Sequence, residues 1–151
     1  VVPGITAAAG CAAAAGIPLT HRDVSQSVAF ITAHGKDSVD NLDWASLARD
    51  KQTLVFYMSV KRLPELMNNL IKNGRSASTP VAFIERGTTP EQRIIHGTLG
   101  QLTLLAEAHR IVPPTTLIIG EVTAYGTAEA HDERYAPVKY IKPNYMVAQK
   151  G

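Results

Sequence analysis

Four short stretches of this chain are almost continuously apolar: Ser27 to Ala33, Gln52 to Met58, Pro80 to Arg86, and Thr115 to Val122 around Leu117-Ile118-Ile119. A strand with one wet face alternates polar and apolar residues, so runs of this kind imply strands covered on both faces. The intervening segments supply the covers. Leu63, Leu66, Met67, Leu70 and Ile71 recur at helical spacing and end at Asn73-Gly74, which predicts a helix. Thr6 to Ala15 reads as a second, Ala-rich helix capped by Thr6 and stopped by Gly16-Ile17-Pro18, and Gln101 to Arg110 as a third. Gln92 to Leu99 is a further strand after the turn Gly87-Thr88-Thr89-Pro90, and Asp37 to Asp50 a loop with a short helix from Trp44. The expected fold is a layered α/β domain with a central, mostly parallel (mixed) sheet.

A chain of 151 residues, 45% hydrophobic and 19% charged, can bury one such core and is not intrinsically disordered. Its net charge of +2 is spread along the sequence with no Lys/Arg block, so neither nucleic acid nor a membrane surface is an expected partner. The first 19 residues are uncharged, but they lack a basic n-region and are broken by Pro3, Gly4, Gly16 and Pro18. That argues against a signal peptide and a membrane span. Val1-Val2-Pro3-Gly4 has no initiator Met and reads as a buried strand end, so the chain is expected to begin mid-protein. The single cysteine, Cys11, permits no internal disulfide and points to a reducing, cytoplasmic compartment. Beyond Thr123 the apolar pattern fades, which divides the chain into a domain at 1–123 and an extension at 124–151.

Several chemistries lack their motifs. No two glycines are separated by one residue, no phosphate loop or GxSxG elbow is present, and no two of the five histidines lie three or four residues apart, so no metal site is expected. What remains is positional, because open sheets bind ligands at the carboxyl ends of their strands. Met58 and Gly87 stand at two such ends: a methionine offers a soft wall for a flat ring, and a glycine allows close backbone approach. Read locally, Met58 also fits core packing and Gly87 an ordinary turn. Pro3-Gly4-Ile5-Thr6-Ala7-Ala8 puts a hydroxyl where N–H groups point out of a helix start, a feature an ordinary cap also has. Thr20-His21-Arg22-Asp23 combines a proton donor, a cation and a carboxylate, either as a fork for ligand carboxylates or as a self-paired loop.

Taken in order, Val1 to Ala8, Gly16-Ile17-Pro18-Leu19-Thr20-His21-Arg22, Gln52 to Met58, Gly87-Thr88-Thr89-Pro90 with Gln92-Arg93, and Gly97-Thr98-Leu99 resemble the second half of the uroporphyrinogen-III C-methyltransferases. The same module forms the C-terminal part of multifunctional siroheme synthases. The resemblance covers roughly residues 1 to 123. It implies S-adenosyl-methionine as methyl donor and uroporphyrinogen III as acceptor, methylated twice to precorrin-2. It also implies a cleft shared with an N-terminal domain absent here and, for the intact protein, a homodimer. The matching cofactor positions are Thr6, Ala7, Met58 and Gly87. Because the substrate carries eight carboxylates, Arg22, His21 and Arg93, with Arg86 beside them, are the candidate substrate contacts. The family's proton-handling residues lie in the absent half, so no catalytic residue is assigned and this piece alone is expected to be inactive. Other readings are a different tetrapyrrole or corrin methylase and a non-catalytic small-molecule-binding module. The tail with Lys139, Lys142 and tyrosines at 135, 140 and 145 departs from the family's ending.

Overall fold

A computed structural model describes residues 1–33 and 41–126. Helix α1 (Ala7–Ala14) is followed by β1 (Ser27–Thr32), the short α2 (Trp44–Leu47), β2 (Gln52–Tyr57) and α3 (Leu63–Lys72). Then come β3 (Pro80–Glu85), β4 (Arg93–Thr98), α4 (Leu102–Ala108) and β5 (Thr115–Ile119). The strands form one sheet in the order β1-β2-β5-β3-β4.

The layered α/β architecture and mixed sheet are as expected, but the parallel majority is not. Only β1 and β2 pair in parallel; β5 is antiparallel to both β2 and β3, and β3 is antiparallel to β4. Continuous apolar runs report burial on two faces, and burial is indifferent to strand direction. The last strand inserts between β2 and β3 and takes the most protected place.

Side chains within each run are sorted by the two-residue period of a strand. Leu54, Phe56, Val81, Phe83, Leu117 and Ile119 face a core closed by Leu63, Leu66 and Leu70 of α3 and Leu102 of α4. Val55, Ala82, Ile84 and Ile118 face a second, thinner core closed by Ala8, Cys11, Ala12 and Ala15. The small residues of α1 bring its backbone close to the sheet. Helix α3 buries its leucines as their spacing requires, carries a proline in its first turn, and ends before Gly74 at φ +104°.

Three other expectations need correction. Strand β1 is a sheet edge, not a strand buried on both faces: Ile31 is buried while Phe30 is 49% exposed. Val1 and Val2 are fully exposed and belong to no strand. The expected strand to Val122 stops at Ile119, because Gly120 adopts φ +144° and its α-carbon hydrogen faces the Gln52 carbonyl, 3.3 Å from where a Cβ would stand. A 3₁₀ turn, Glu121–Tyr125, follows and runs across the expected boundary at 123. Residues 127–151 of the expected extension lie outside the described residues, as do 34–40 of the expected loop.

Candidate functional site

Although only one pair is parallel, β1, β2 and β3 all point the same way, since β5 reverses direction between β2 and β3. Their carboxyl ends therefore share one edge. Thr32 is paired with Tyr57, Tyr57 with Thr116, and Glu85 with both Thr115 and Arg93. Helix α1 crosses the sheet obliquely at this edge. Its first turn meets Tyr57 through Ala8, its middle meets Thr116 through Cys11 at 3.5 Å, and the Ala14 carbonyl accepts from the Gln92 side chain at 3.2 Å.

Met58 follows the last residue of β2, is 55% exposed and has φ +53°. Core packing, the alternative for this residue, is thus not where it stands. Arg86 and Thr88 on either side of Gly87 are also left-handed, with φ +46° and +67°. Three non-glycine residues in a costly conformation at one edge is the kind of clustering found where backbone is bent to serve a site.

At the start of α1, Thr6 and Ala7 are both exposed. Thr6 occupies the cap position, but its hydroxyl bonds the Tyr57 hydroxyl and not an N–H of its own helix. The Ala8 N–H donates to the same Tyr57 oxygen at 3.2 Å, and the Ala9 N–H to the Thr6 carbonyl at 3.0 Å. The Ala7 N–H has no partner among the described residues and carries the partial positive charge of a helix start. An anionic group at Ala7 and a flat apolar one against Met58 are the ligand features this edge can hold.

Gly87 and Arg93 share the edge in different roles. A Cβ on Gly87 would run into the Cys11 sulfur and stand 3.2 Å from both Cys11 Cβ and Ile84 Cγ2, so the space beside this glycine is filled by α1. Arg93 donates from Nε to Glu85 Oε2 at 2.6 Å, forms a second contact to that oxygen through its terminal nitrogen, and reaches the His109 carbonyl at 3.2 Å. Glu85 is 2% exposed and also accepts the Val112 N–H at 2.8 Å. The fork of Arg93, a candidate substrate contact, thus faces an internal carboxylate while half of the side chain stays exposed.

His21 and Arg22 are not brought to this edge. The turn they occupy is closed by His21 and Ser25 and anchored to β2 by the Ser25–Thr53 hydroxyl pair at 2.7 Å, at the amino ends of β1 and β2. A six-residue strand separates the two edges by roughly 16 Å. His21 stacks on Tyr125 with ring centroids 4.6 Å apart, and its Nδ1 accepts the Asp23 N–H at 3.3 Å. Arg22 is exposed and has no ion-pair partner among the described residues, so the self-paired loop is not formed by Arg22. An open groove nearby is lined by Asp23, Asp50, Lys51, Arg75 and Glu121. Arg75, 4% exposed, donates to the Arg49 and Gln52 carbonyls; burial pulls its pKa down while Asp50 and Glu121 oppose that pull. This guanidinium clamps the start of β2.

The sequence profile of the Tetrapyrrole (Corrin/Porphyrin) Methylases matches residues 1–103. The chain belongs to this family. It is 57% identical over 122 residues to siroheme synthase 3 of Aeromonas hydrophila and to a siroheme synthase of Azotobacter vinelandii, matches that cover 81% of this chain and 26% of each relative. The chain thus spans about a quarter of the length of these relatives. Among solved structures it is similar to a cobalt precorrin-4 methyltransferase (TM-score 0.73, 28% identity), with 81% of this chain and 52% of that one covered. It is also similar to a uroporphyrin-III C-methyltransferase from Thermus thermophilus complexed with S-adenosyl homocysteine (TM-score 0.65, 33% identity, 80% of this chain and 50% of that one). Two residues of this sheet edge were not singled out from sequence. Tyr57 is one, its signal a phenol at the end of an apolar run; Glu85, an acid closing another, is the second.

Proposed function

We propose that this chain supplies half of the S-adenosyl-methionine site of a methyltransferase converting uroporphyrinogen III to precorrin-2, in siroheme and cobalamin biosynthesis. The observation that carries the reading is the meeting of the first turn of α1, Met58 and Gly87 at one sheet edge, in a chain 57% identical to part of a siroheme synthase. The donor set suits the cofactor. Its amino-acid carboxylate fits the unpartnered Ala7 N–H and the Thr6 hydroxyl, and its adenine fits the exposed Met58 side chain. When bound, the cofactor supplies an electrophilic methyl group on sulfur.

The residues here then have one task, which is orientation. Holding two reactants in register is worth up to about 7–11 kcal/mol when the geometry is tight. Gly87 contributes by letting α1 lie against β3, and Arg93 by neutralising Glu85 beneath the same turn. For the substrate, Arg22 is the carboxylate contact we propose, with His21 holding its turn against Tyr125. Recognition one sheet length from Met58 suits a wide ligand with eight carboxylates. The acid–base groups and the rest of the cofactor contacts are assigned to an N-terminal domain. A cytoplasmic homodimer is part of the proposal; the buried, unpaired Cys11 supports the compartment, and no helix among the described residues is long and apolar enough to cross a membrane.

The experiment is titration of the protein at its native length with S-adenosyl homocysteine, followed by incubation with uroporphyrinogen III and labelled S-adenosyl-methionine. Binding and double methylation are expected. The 151-residue chain alone is expected to transfer no methyl group, and turnover by it would overturn the half-site assignment.

A further inference from the structure

We propose that Tyr57 is a positioning residue for the methyl-donor site, its hydroxyl locking the first turn of α1 to the end of β2. The proposal rests on the cofactor reading above. Tyr57 ends β2 with its backbone flanked by Thr32 and Thr116, and its side chain packs beneath α1 with Val28, Val55 and Ile118. Only its hydroxyl reaches the helix start, where it meets the Thr6 hydroxyl and accepts the Ala8 N–H at 3.2 Å.

Two consequences follow from the chemistry of these groups. First, one rigid side chain connects both halves of the ligand edge. Met58 is the next residue along the strand, so the distance from Met58 to Ala7 is set through the Tyr57 ring and not through a flexible loop. Second, the hydrogen bond has a direction. A phenol is the more acidic hydroxyl and is the better donor, so Tyr57 donates to Thr6 Oγ1 while accepting from Ala8. The Thr6 hydrogen is then left over and is free to meet an incoming acceptor. Thr6 has given up the capping of its own helix to do this, and the tyrosine caps in its place.

The test is Tyr57→Phe in the protein at its native length, with Thr6→Val as the variant that breaks the same bond from the other side. S-adenosyl homocysteine affinity is read by calorimetry, Ala8 amide exchange by NMR, and KM for each substrate by steady-state kinetics. Tyr57→Phe is expected to weaken S-adenosyl homocysteine about tenfold, the scale of one lost hydrogen bond, and to raise KM for the donor alone. Ala8 exchange is expected to speed up while amides of β2 stay protected. Once Thr6→Val is made, Tyr57→Phe should cost less than it does alone, since the shared bond is already gone, whereas Thr6→Val in the Tyr57→Phe background still removes the Thr6 contact to the ligand. Loss of stability with unchanged affinity, or failure of Tyr57→Phe to fold while Thr6→Val binds normally, makes the tyrosine purely structural and overturns the proposal. If the unmutated protein does not bind S-adenosyl homocysteine, the cofactor reading itself falls; if it binds and Tyr57→Phe binds equally well, only this proposal falls.

Discussion

Gly87→Ala is the substitution for which the packing makes the sharpest prediction. No unusual φ demands glycine there, so the whole effect comes from space. The added methyl would collide with the Cys11 sulfur and sit 3.2 Å from two further carbons, one on Cys11 and one on Ile84, within the thin core between α1 and the sheet. Overpacking of this kind costs about 1–3 kcal/mol, and the severity of the sulfur contact puts this case near 3. Cys11→Ala alone removes one buried atom and should cost about 1 kcal/mol. In the Cys11→Ala background the worst clash is gone, leaving contacts that a few tenths of an ångström relieve, so Gly87→Ala there should cost only about 1 kcal/mol. At about 4 °C per kcal/mol for a domain of this size, the single glycine variant should melt about 12 °C lower and the double variant only about 8 °C lower. Urea melts of the four proteins measure the coupling. Costs that add within about 0.5 kcal/mol would refute the account. The same set reports on the ligand: if Gly87 acts by seating α1, S-adenosyl homocysteine affinity recovers in the double variant.

The remaining predictions concern charge and exposure. Arg93→Ala strands the buried Glu85 with one N–H donor; breaking a buried pair costs about 3–5 kcal/mol, and because Arg93 is half exposed about 2 is expected, with Glu85→Gln in the same chain restoring most of it in denaturant melts. Met58→Ala should change stability by well under the 2–5 kcal/mol typical of a buried methionine, because the side chain is 55% exposed, while weakening S-adenosyl homocysteine several-fold; a collapsed melting temperature with unchanged affinity would make it a core residue. His96 is exposed on the whole, but partial desolvation of its ring lowers its pKa from the ordinary 6.5, so the unfolded chain takes up that proton first. Stability should be complete above pH 6.5 and fall as the pH drops through that value towards the folded pKa, and His96→Gln should flatten the slope of the urea midpoint between those limits.

Much of the scaffold was legible because burial leaves a direct mark on residue choice. Leu54-Val55-Phe56 and Leu117-Ile118-Ile119 read as strands since both of their faces are covered, and Leu63, Leu66 and Leu70 read as a helix since only one of its faces is. Strand direction left no such mark, and the place of β5 between β2 and β3 is decided by the whole sheet. Met58, Gly87 and Thr6 could be nominated from sequence because strand ends and helix starts are local features. The partners of these residues could not. Cys11 fills the space at Gly87, Glu85 takes Arg93 across an antiparallel register, and Tyr57 takes Thr6 over a separation of 51 residues. Short motifs carry no information on contacts of that range. His21 and Arg22 stood out because their chemistry is compact, but the sequence did not show that the hydroxyl pair at Ser25 and Thr53 draws their turn to the other end of β1.

The position of β5 also bears on how the chain is made. Ribosomes deliver β1 to β4 first, and until Thr115 to Ile119 emerges β2 and β3 have no common neighbour to pair with. A nascent chain paused before that point holds two separate ribbons, each presenting an apolar edge whose N–H and C=O groups are unpaired, the arrangement that seeds edge-to-edge aggregation. Release of the last strand joins the two ribbons in a single step. A stop codon shortly before Thr115 should therefore yield insoluble product, whereas one just after Tyr125 leaves every strand of the sheet in place.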